Sequence, residues 1–450
     1  MAKKSYEMDL TSGPILPRIF SFALPLMASS LLQLLFNTAD TIVVGRFAGD
    51  TALAAVGSTG ALINLLTTLF MGLSIGSNVL VSRYYASRQD KQASEVVHTS
   101  MCLALLSGIL LTFVGIFSAR WLLQIMSSPE DVIDLAAIYL RVYFIGMTAM
   151  MLYNFGAAIL RSIGDTRRPL YFLTLSGIIN VILNLIFVII FHMSVMGVAL
   201  ATIISQFISC GMLIRCMIQE TSIAHLDLRR LRLNLGCCWD IIRIGFPAGL
   251  QGMIFTGSNF IIQSSINSFG SVTVAGNAAA SSLEGFTWMA MNSIQQTAVS
   301  FVAQNHGAKK YDRLLRVIVD LQISVFAFGF VIGNTILLFH NFFLGLYTTS
   351  PEVIKIGMIR LAIMCSLHFL CGMMDVMGGS LRGLGFAIMP TVVTLAGVIG
   401  IRIVWIFTFF RMERFHNIQS LYYTYPVSWT LTLLLHIICL RVVWKKVISS

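Results

Sequence analysis

The sequence predicts an all-α polytopic membrane protein. About twelve transmembrane helices are expected in two six-helix lobes, related by a pseudo-two-fold axis along the membrane normal and enclosing a central cavity. Three observations predict it: an apolar composition, apolar runs of bilayer length, and a repeat at half the chain length.

Of the 450 residues, 57% are hydrophobic and 11% charged, where a soluble domain carries roughly 25% charged residues. Mean hydropathy is +0.83. Larger soluble proteins divide into domains that each keep a polar skin, so a soluble core cannot enclose this much apolar surface. A soluble enzyme, a nucleic-acid reader and a disordered chain are excluded on that ground. The net charge of +11 is what cytoplasmic Lys and Arg give a membrane protein, and no nucleic-acid partner follows from it. The eight cysteines show no paired spacing and fall mostly in apolar runs, where Cys acts as a small hydrophobe.

A bilayer-crossing helix needs about 20 apolar residues. Such runs lie near 17–44, 53–82, 95–118, 133–159, 169–192, 195–217, 241–268, 276–303, 314–340, 356–380, 388–411 and 418–444. The first is too long for a signal-peptide core and no small-residue cleavage site follows it, so it is expected to remain in the mature protein. The longest polar stretch, 219–240, reads as a cytoplasmic loop connecting an N-terminal lobe (1–218) to a C-terminal lobe (241–450). With the N-terminus inside, 21 of the 30 Lys and Arg face the cytoplasm, among them Lys3, Lys4, Arg161, Arg167, Arg168, Arg229, Arg230, Arg232, Lys309 and Lys310. Only Arg46, Arg120, Lys355, Arg411 and Arg414 fall outside. That bias places both termini in the cytoplasm and the chain in the inner membrane, with lipid around it.

The halves repeat. Pro25 matches Pro247 and Ser128-Pro129-Glu130 matches Ser350-Pro351-Glu352 at an offset of 222; Leu160-Arg161, Gly164 and Pro169 match Leu381-Arg382, Gly385 and Pro390 at 221. Six spans per half is an even number, so both halves have one orientation, as parallel repeats do. Two lobes that rock around a cavity give alternating access, which points to a secondary transporter acting as a monomer rather than a channel built from several copies. The chain has no G-x-x-x-x-G-K-[ST] pattern and is not expected to be driven by ATP. It shows no catalytic triad, metal-ligand set or phosphate-cradling loop, so neither an enzyme nor a cofactor is expected.

Three acids sit well inside spans: Asp40, Glu284 and Asp375. An ionised group there is costly and is by default a functional candidate. Asp40 ends a stripe with Gln33 and Asn37 on one helical face. At 1.5 Å per residue it lies about 9 Å below the outer end of its span, Asn184 about 12 Å and Thr202 about 10 Å below theirs, with Asn180 one turn deeper than Asn184. Three helices therefore place oxygen-bearing side chains at one depth, as either a functional site or a structural hydrogen-bond network. Glu284 heads a second stripe, with Trp288, Asn292 and Gln296; Gln251, Asn259 and Gln263 form another on the preceding span. A carboxylate beside Trp288 suits a desolvated organic cation; the alternative is a Glu284–Arg360 pair. Asp375, whose repeat mate is Asn154, either faces substrate or is neutralised by Arg402. Met147, Met150, Met151, Met373 and Met374 offer plastic lining for a polyspecific cavity.

Five stretches carry a resemblance: PLMASSLLQLLFNTADTIVVGRFAGDTALAAVG (25–57), LRSIGDTRRP (160–169), NVILN (180–184), VAQNHGAKKYDR (302–313) and LRGLGFAIMP (381–390). Together they resemble the multidrug and toxic compound extrusion (MATE) transporters over roughly 15–445, on the bacterial DinF-like and MepA-like side of that family. The resemblance implies twelve helices in two lobes, and export of organic cations and related amphipathic drugs against inward proton or sodium flow. It also implies that Asp40, Asn180, Asn184 and Thr202 form a cation- or proton-responsive site, doubling as a possible sodium site. Asn184 departs from the family pattern, in which many relatives have a second Asp. Asp375 matches a substrate-lobe aspartate, but the acid that some members carry on span seven is missing from 245–268. Gln33, Asn37, Asn154, Gln251, Asn259, Gln263, Glu284, Trp288, Asn292, Gln296 and Asp375 are the expected cavity residues. The alternative in the same wider superfamily is a flippase or exporter of a lipid-linked or anionic solute, which would need a basic cavity.

Overall fold

The structure is a computed structural model that describes residues 6–126 and 130–449. Lys3, Lys4, Ser128 and Pro129, used above for orientation and for the repeat, lie outside the described residues. The described chain is helical and has no strand. In order the helices are α1 (Ile15–Phe47), α2 (Asp50–Ala86), α3 (Asp90–Ile125), α4 (Glu130–Ile145), α5 (Met147–Ser162), α6 (Arg167–Leu185), α7 (Ser194–Ile218), α8 (Leu235–Asn267), α9 (Ser271–Gly307), α10 (Tyr311–Leu338), α11 (His340–Gly345), α12 (Pro351–Gly383), α13 (Ile388–Thr394), α14 (Ile401–Phe407) and α15 (Ile418–Ser449). Each apolar run falls on one of these helices or on a pair in series. Among the described residues nine helical stretches are long and apolar enough to cross a membrane, or ten when α4 and α5, bent by 48° at Gly146, count as one span. Helices α8 and α9, with 33 and 37 residues, have the length but not the hydropathy. Their polar stripes lower the mean.

The repeat is written into the backbone. Positive φ recurs at Gly49 and Gly270 (88° and 92°), Arg88 and Lys309 (56° and 54°), and Gly164 and Gly385 (91° and 88°), each pair 221 apart. Pro25 lies inside α1 and Pro247 inside α8, which membrane helices tolerate where neighbours satisfy the freed carbonyl. A π-helical turn follows α6 at Ile186–Ile190, and another joins α13 to α14 at Leu395–Gly400.

The chain forms two compact units: Ala28–Gly249 with the residues up to Asp9, and Leu10–Met27 with Leu250–Ser450. It passes between units before α1, inside α1 and inside α8, and the polar loop 219–240 lies within the first unit. In the first unit α2 and α3 pack on α4 and α5, and α6 on α7. The opening half of α8 meets α2 through glycines: a Cβ on Gly72 would lie 2.3 Å from Gly249 Cα, and one on Gly249 2.2 Å from Leu69 O. Small residues four apart let membrane helices approach this closely. In the second unit α12 packs along α9, α10 and α15.

Two of the motifs have structural duties. In VAQNHGAKKYDR, Gln304 Oε1 accepts from Leu10 N (3.1 Å), Asn305 Nδ2 donates to Leu10 O (3.1 Å), and Arg313 donates to Gly13 O and Ser12 O (2.8 Å each). They hold the segment before α1 within the second unit. In LRSIGDTRRP, a Cβ on Gly164 would fall 2.2 Å from Met8 O. Asp165 Oδ1 accepts from the backbone N–H of Arg167 and Arg168 (3.1 Å each), capping α6. Arg168 then bridges Asp165 and Glu220.

Candidate functional site

In the first unit the four coupling candidates meet. Asn180 and Asn184 are one turn apart on α6 and so share a face; Asp40 comes from α1 and Thr202 from α7. Asn184 Nδ2 donates to Asp40 Oδ1 and, at 3.4 Å, to Asn180 Oδ1. Asn180 Nδ2 reaches Thr202 Oγ1 at 3.4 Å, and Thr202 Oγ1 donates to Val198 O at 3.0 Å. A continuous chain of polar groups therefore links three helices. Asn184 is 1% exposed, and its Oδ1 is buried with no hydrogen-bond partner among the described residues. An orphan acceptor beside a carboxylate, in a setting that penalises unmet polar groups, is the unusual feature of this unit. Gln33 and Asn37 lie on the exposed surface of α1 and their side chains do not join the chain. Sequence reasoning missed Tyr139 and Tyr143 on α4, which feel the Asp40 charge and whose rings stand 5.8 Å apart. Their spacing of one turn was the available signal.

In the second unit Glu284 and the polar stripe of α8 are tied to arginines. Arg360 Nε and Nη2 each donate to Glu284 at 2.7 Å, a two-pronged pair with side chains 7% and 8% exposed. Arg360 Nη1 donates to Asn277 Oδ1 at 2.6 Å, and Asn277 Nδ2 donates to Gln263 Oε1 at 3.1 Å. Gln251 Oε1 accepts from Arg382 Nη2 at 2.6 Å. Asn259 Oδ1 accepts from Arg402 Nη1 at 3.2 Å. So the stripe Gln251, Asn259, Gln263 on α8 is a ladder of oxygens serving three arginines, one of them through Asn277. Glu284 is buried while Trp288, one turn on, is 43% exposed; the carboxylate and the indole do not present one surface. Asn292 Oδ1 accepts from Gln296 Nε2 at 2.9 Å along α9. Asn154 Nδ2 donates to Met150 O at 2.8 Å within α5.

Asp375 corrects one expectation. Arg402 does not pair with it: Arg402 Nη1 donates to Ser258 and Asn259, and Asp375 is not among the charged groups that bear on Arg402. The arginine whose charge bears on Asp375 is Arg382. Asp375 is half-buried and makes no hydrogen bond or ion pair within the described residues. It makes no contact with Glu284, whose oxygens are taken by Arg360. Among the described residues no group of three or more His, Cys, Asp or Glu is arranged to hold a metal.

A family profile described as MatE matches residues 25–186 and again 247–408, each match opening on the proline inside α1 or α8. The chain is 27% identical to the probable multidrug resistance protein YoeA of Bacillus subtilis, over 94% of this chain and 93% of that one. It is 25% identical to the probable multidrug resistance protein NorM of Thermotoga maritima, over 88% and 86%. A solved structure described as the outward-facing conformation of a multidrug resistance MATE family transporter superimposes with a TM-score of 0.90 at 20% identity, covering 100% of both chains. That likeness establishes the fold.

Proposed function

This chain belongs to the MatE family, and we propose that it is a multidrug efflux antiporter exporting organic cations and related amphipathic compounds in exchange for protons, with sodium as the competing ion. The observation that carries the coupling is the buried chain Asp40–Asn184–Asn180–Thr202 with its orphan oxygen. With Asp40 ionised, Asn184 donates to it. A proton on Asp40 turns the carboxyl into a donor, and the acceptor beside it is Asn184 Oδ1. Presenting that oxygen requires the amide to rotate, which withdraws Nδ2 from Asn180 and loosens the tie to Thr202. Protonation is thereby felt on α1, α6 and α7 together. The four side chains also offer oxygens of the hard type that sodium takes, but only one formal charge, which favours the proton.

For the cargo, Asp375 supplies a carboxylate that accepts no hydrogen bond within the described residues, though the Arg382 charge bears on it. Trp288, Asn292 and Gln296 are its polar and aromatic candidates in the second unit, and Gln33, Asn37 and Asn154 the polar candidates in the first. Glu284, Gln251, Asn259 and Gln263 act through the arginines they hold. Everted vesicles supplied with ethidium in the outer medium test the reading: an imposed pH gradient at fixed sodium is expected to drive its uptake. Transport that responds to a sodium gradient alone would make sodium the driver; none under either would refute the antiport.

We also propose that both termini and the 219–240 loop face the cytoplasm and that the protein lies in the inner membrane, a reading the basic residues Arg229, Arg230 and Arg232 support. A single cysteine at Ser222, in a background cleared of reactive native cysteines, is expected to resist an impermeant maleimide added to intact cells and to react once the membrane is opened. Labelling in intact cells would reverse the topology.

A further inference from the structure

The second unit carries one more buried cation than its embedded acids can match. Arg360, Arg382 and Arg402 are 6%, 4% and 2% exposed. Glu284 is held by Arg360, and Asp375 feels Arg382. Among the described residues no carboxylate pairs with Arg402: the ionisable groups that bear on it are Tyr425, Cys371 and Arg360. A lone guanidinium at membrane depth is expensive and marks a functional position.

Its geometry says what would satisfy it. Nη1 donates to Ser258 Oγ at 3.1 Å and Asn259 Oδ1 at 3.2 Å. The cation lies 4.3 Å from the centre of the Tyr425 ring and 5.4 Å from that of Phe255, within cation–π range of both. Nε and Nη2 remain buried with no acceptor among the described residues. Those two nitrogens form one edge of the guanidinium, the fork that grips a carboxylate or phosphate through two parallel hydrogen bonds. The arginine is therefore anchored by one nitrogen and two rings while its bidentate edge is left open.

We propose that the Nε/Nη2 edge of Arg402 is an oxyanion-binding subsite in the second unit, taking the carboxylate or phosphate of an amphipathic solute or of a lipid headgroup. The proposal is independent of the export reading, because binding is read without any gradient. The test is calorimetric titration of the full-length protein in phosphatidylcholine nanodiscs, with benzoate as probe and benzamide as its uncharged counterpart. Saturable binding of benzoate and none of benzamide is expected. Arg402→Lys keeps the charge and loses the fork, and is expected to weaken benzoate by at least about tenfold, a change of about 1.4 kcal/mol. Arg402→Gln is expected to abolish binding, and Arg411→Gln, near the outer end of the same span, to leave it unchanged. Replacing part of the phosphatidylcholine with phosphatidylglycerol separates the sources. A drop in benzoate affinity identifies the lipid headgroup as occupant, and an unchanged affinity identifies a free solute; either supports the shared chemistry. Native protein that binds no benzoate would overturn the proposal. So would Arg402→Gln binding as the native does, or, should that variant fail to fold, Arg402→Lys with undiminished affinity.

Discussion

Replacing Arg360 by methionine is expected to deplete folded protein in the membrane more than any other single change considered. The guanidinium makes both bonds to Glu284 and one to Asn277, and lies 5.3 Å from the Tyr422 ring centre and 5.7 Å from that of Tyr425. Removing it strands a carboxylate whose side chain is 8% exposed. Breaking a buried pair from one side costs about 3–5 kcal/mol, because the surviving charge keeps its desolvation penalty and loses its compensation. The single variant should melt well below the native protein in a detergent thermal-shift assay. Arg360→Met combined with Glu284→Gln removes both charges and should recover most of the loss. A double variant as unstable as the single would mean that the damage comes from the lost stacking and the Asn277 bond, and not from Glu284.

Much of this architecture was legible because it rests on one-dimensional signals. Apolar runs of bilayer length are nearly sufficient to specify membrane helices, and the two prolines at an offset of 222 announced a repeat that the backbone then repeats at Gly164 and Gly385. Depth arithmetic on α1, α6 and α7 put Asp40, Asn180, Asn184 and Thr202 at similar heights, because helix rise converts residue number into height, and the family resemblance grouped them. Height does not say which way a side chain turns or what meets it, and here the second unit differed. The stripe on α8 reads identically whether it faces a cavity or a neighbouring helix. Its partners come from 131 residues away for Gln251 and 143 for Asn259, and Glu284 meets Arg360 across 76. Pairings at such separations depend on how helices pack, which no local pattern encodes. The bend between α4 and α5 escaped notice for a related reason: Gly146 interrupts a run whose composition stays apolar throughout.

Asp40→Asn is expected to leave a folded, membrane-inserted transporter that no longer exports cargo in response to a pH gradient. The substitution is nearly isosteric and removes the only carboxylate in the Asp40–Asn184–Asn180–Thr202 chain. Its amide can donate and accept at once, so the Asn184 side chain can be satisfied in either orientation and nothing gained or lost with pH will bias the choice. A ligand moves a two-state equilibrium only by its differential affinity for the two states, and a site that cannot bind a proton has none to offer. Proton-driven ethidium efflux should therefore fall to the level of an empty vesicle, while expression and melting temperature stay near native. Asp40→Glu retains the titrating group on a longer arm and should keep part of the activity. Asn184→Asp adds a second carboxylate and, with it, the charge that sodium binding lacks; sodium-driven efflux is expected to appear or strengthen. Undiminished proton-driven efflux in Asp40→Asn would remove this residue from the coupling mechanism. Loss of folded protein in Asp40→Asn, with activity per folded molecule retained, would assign the cluster to holding α1, α6 and α7 together.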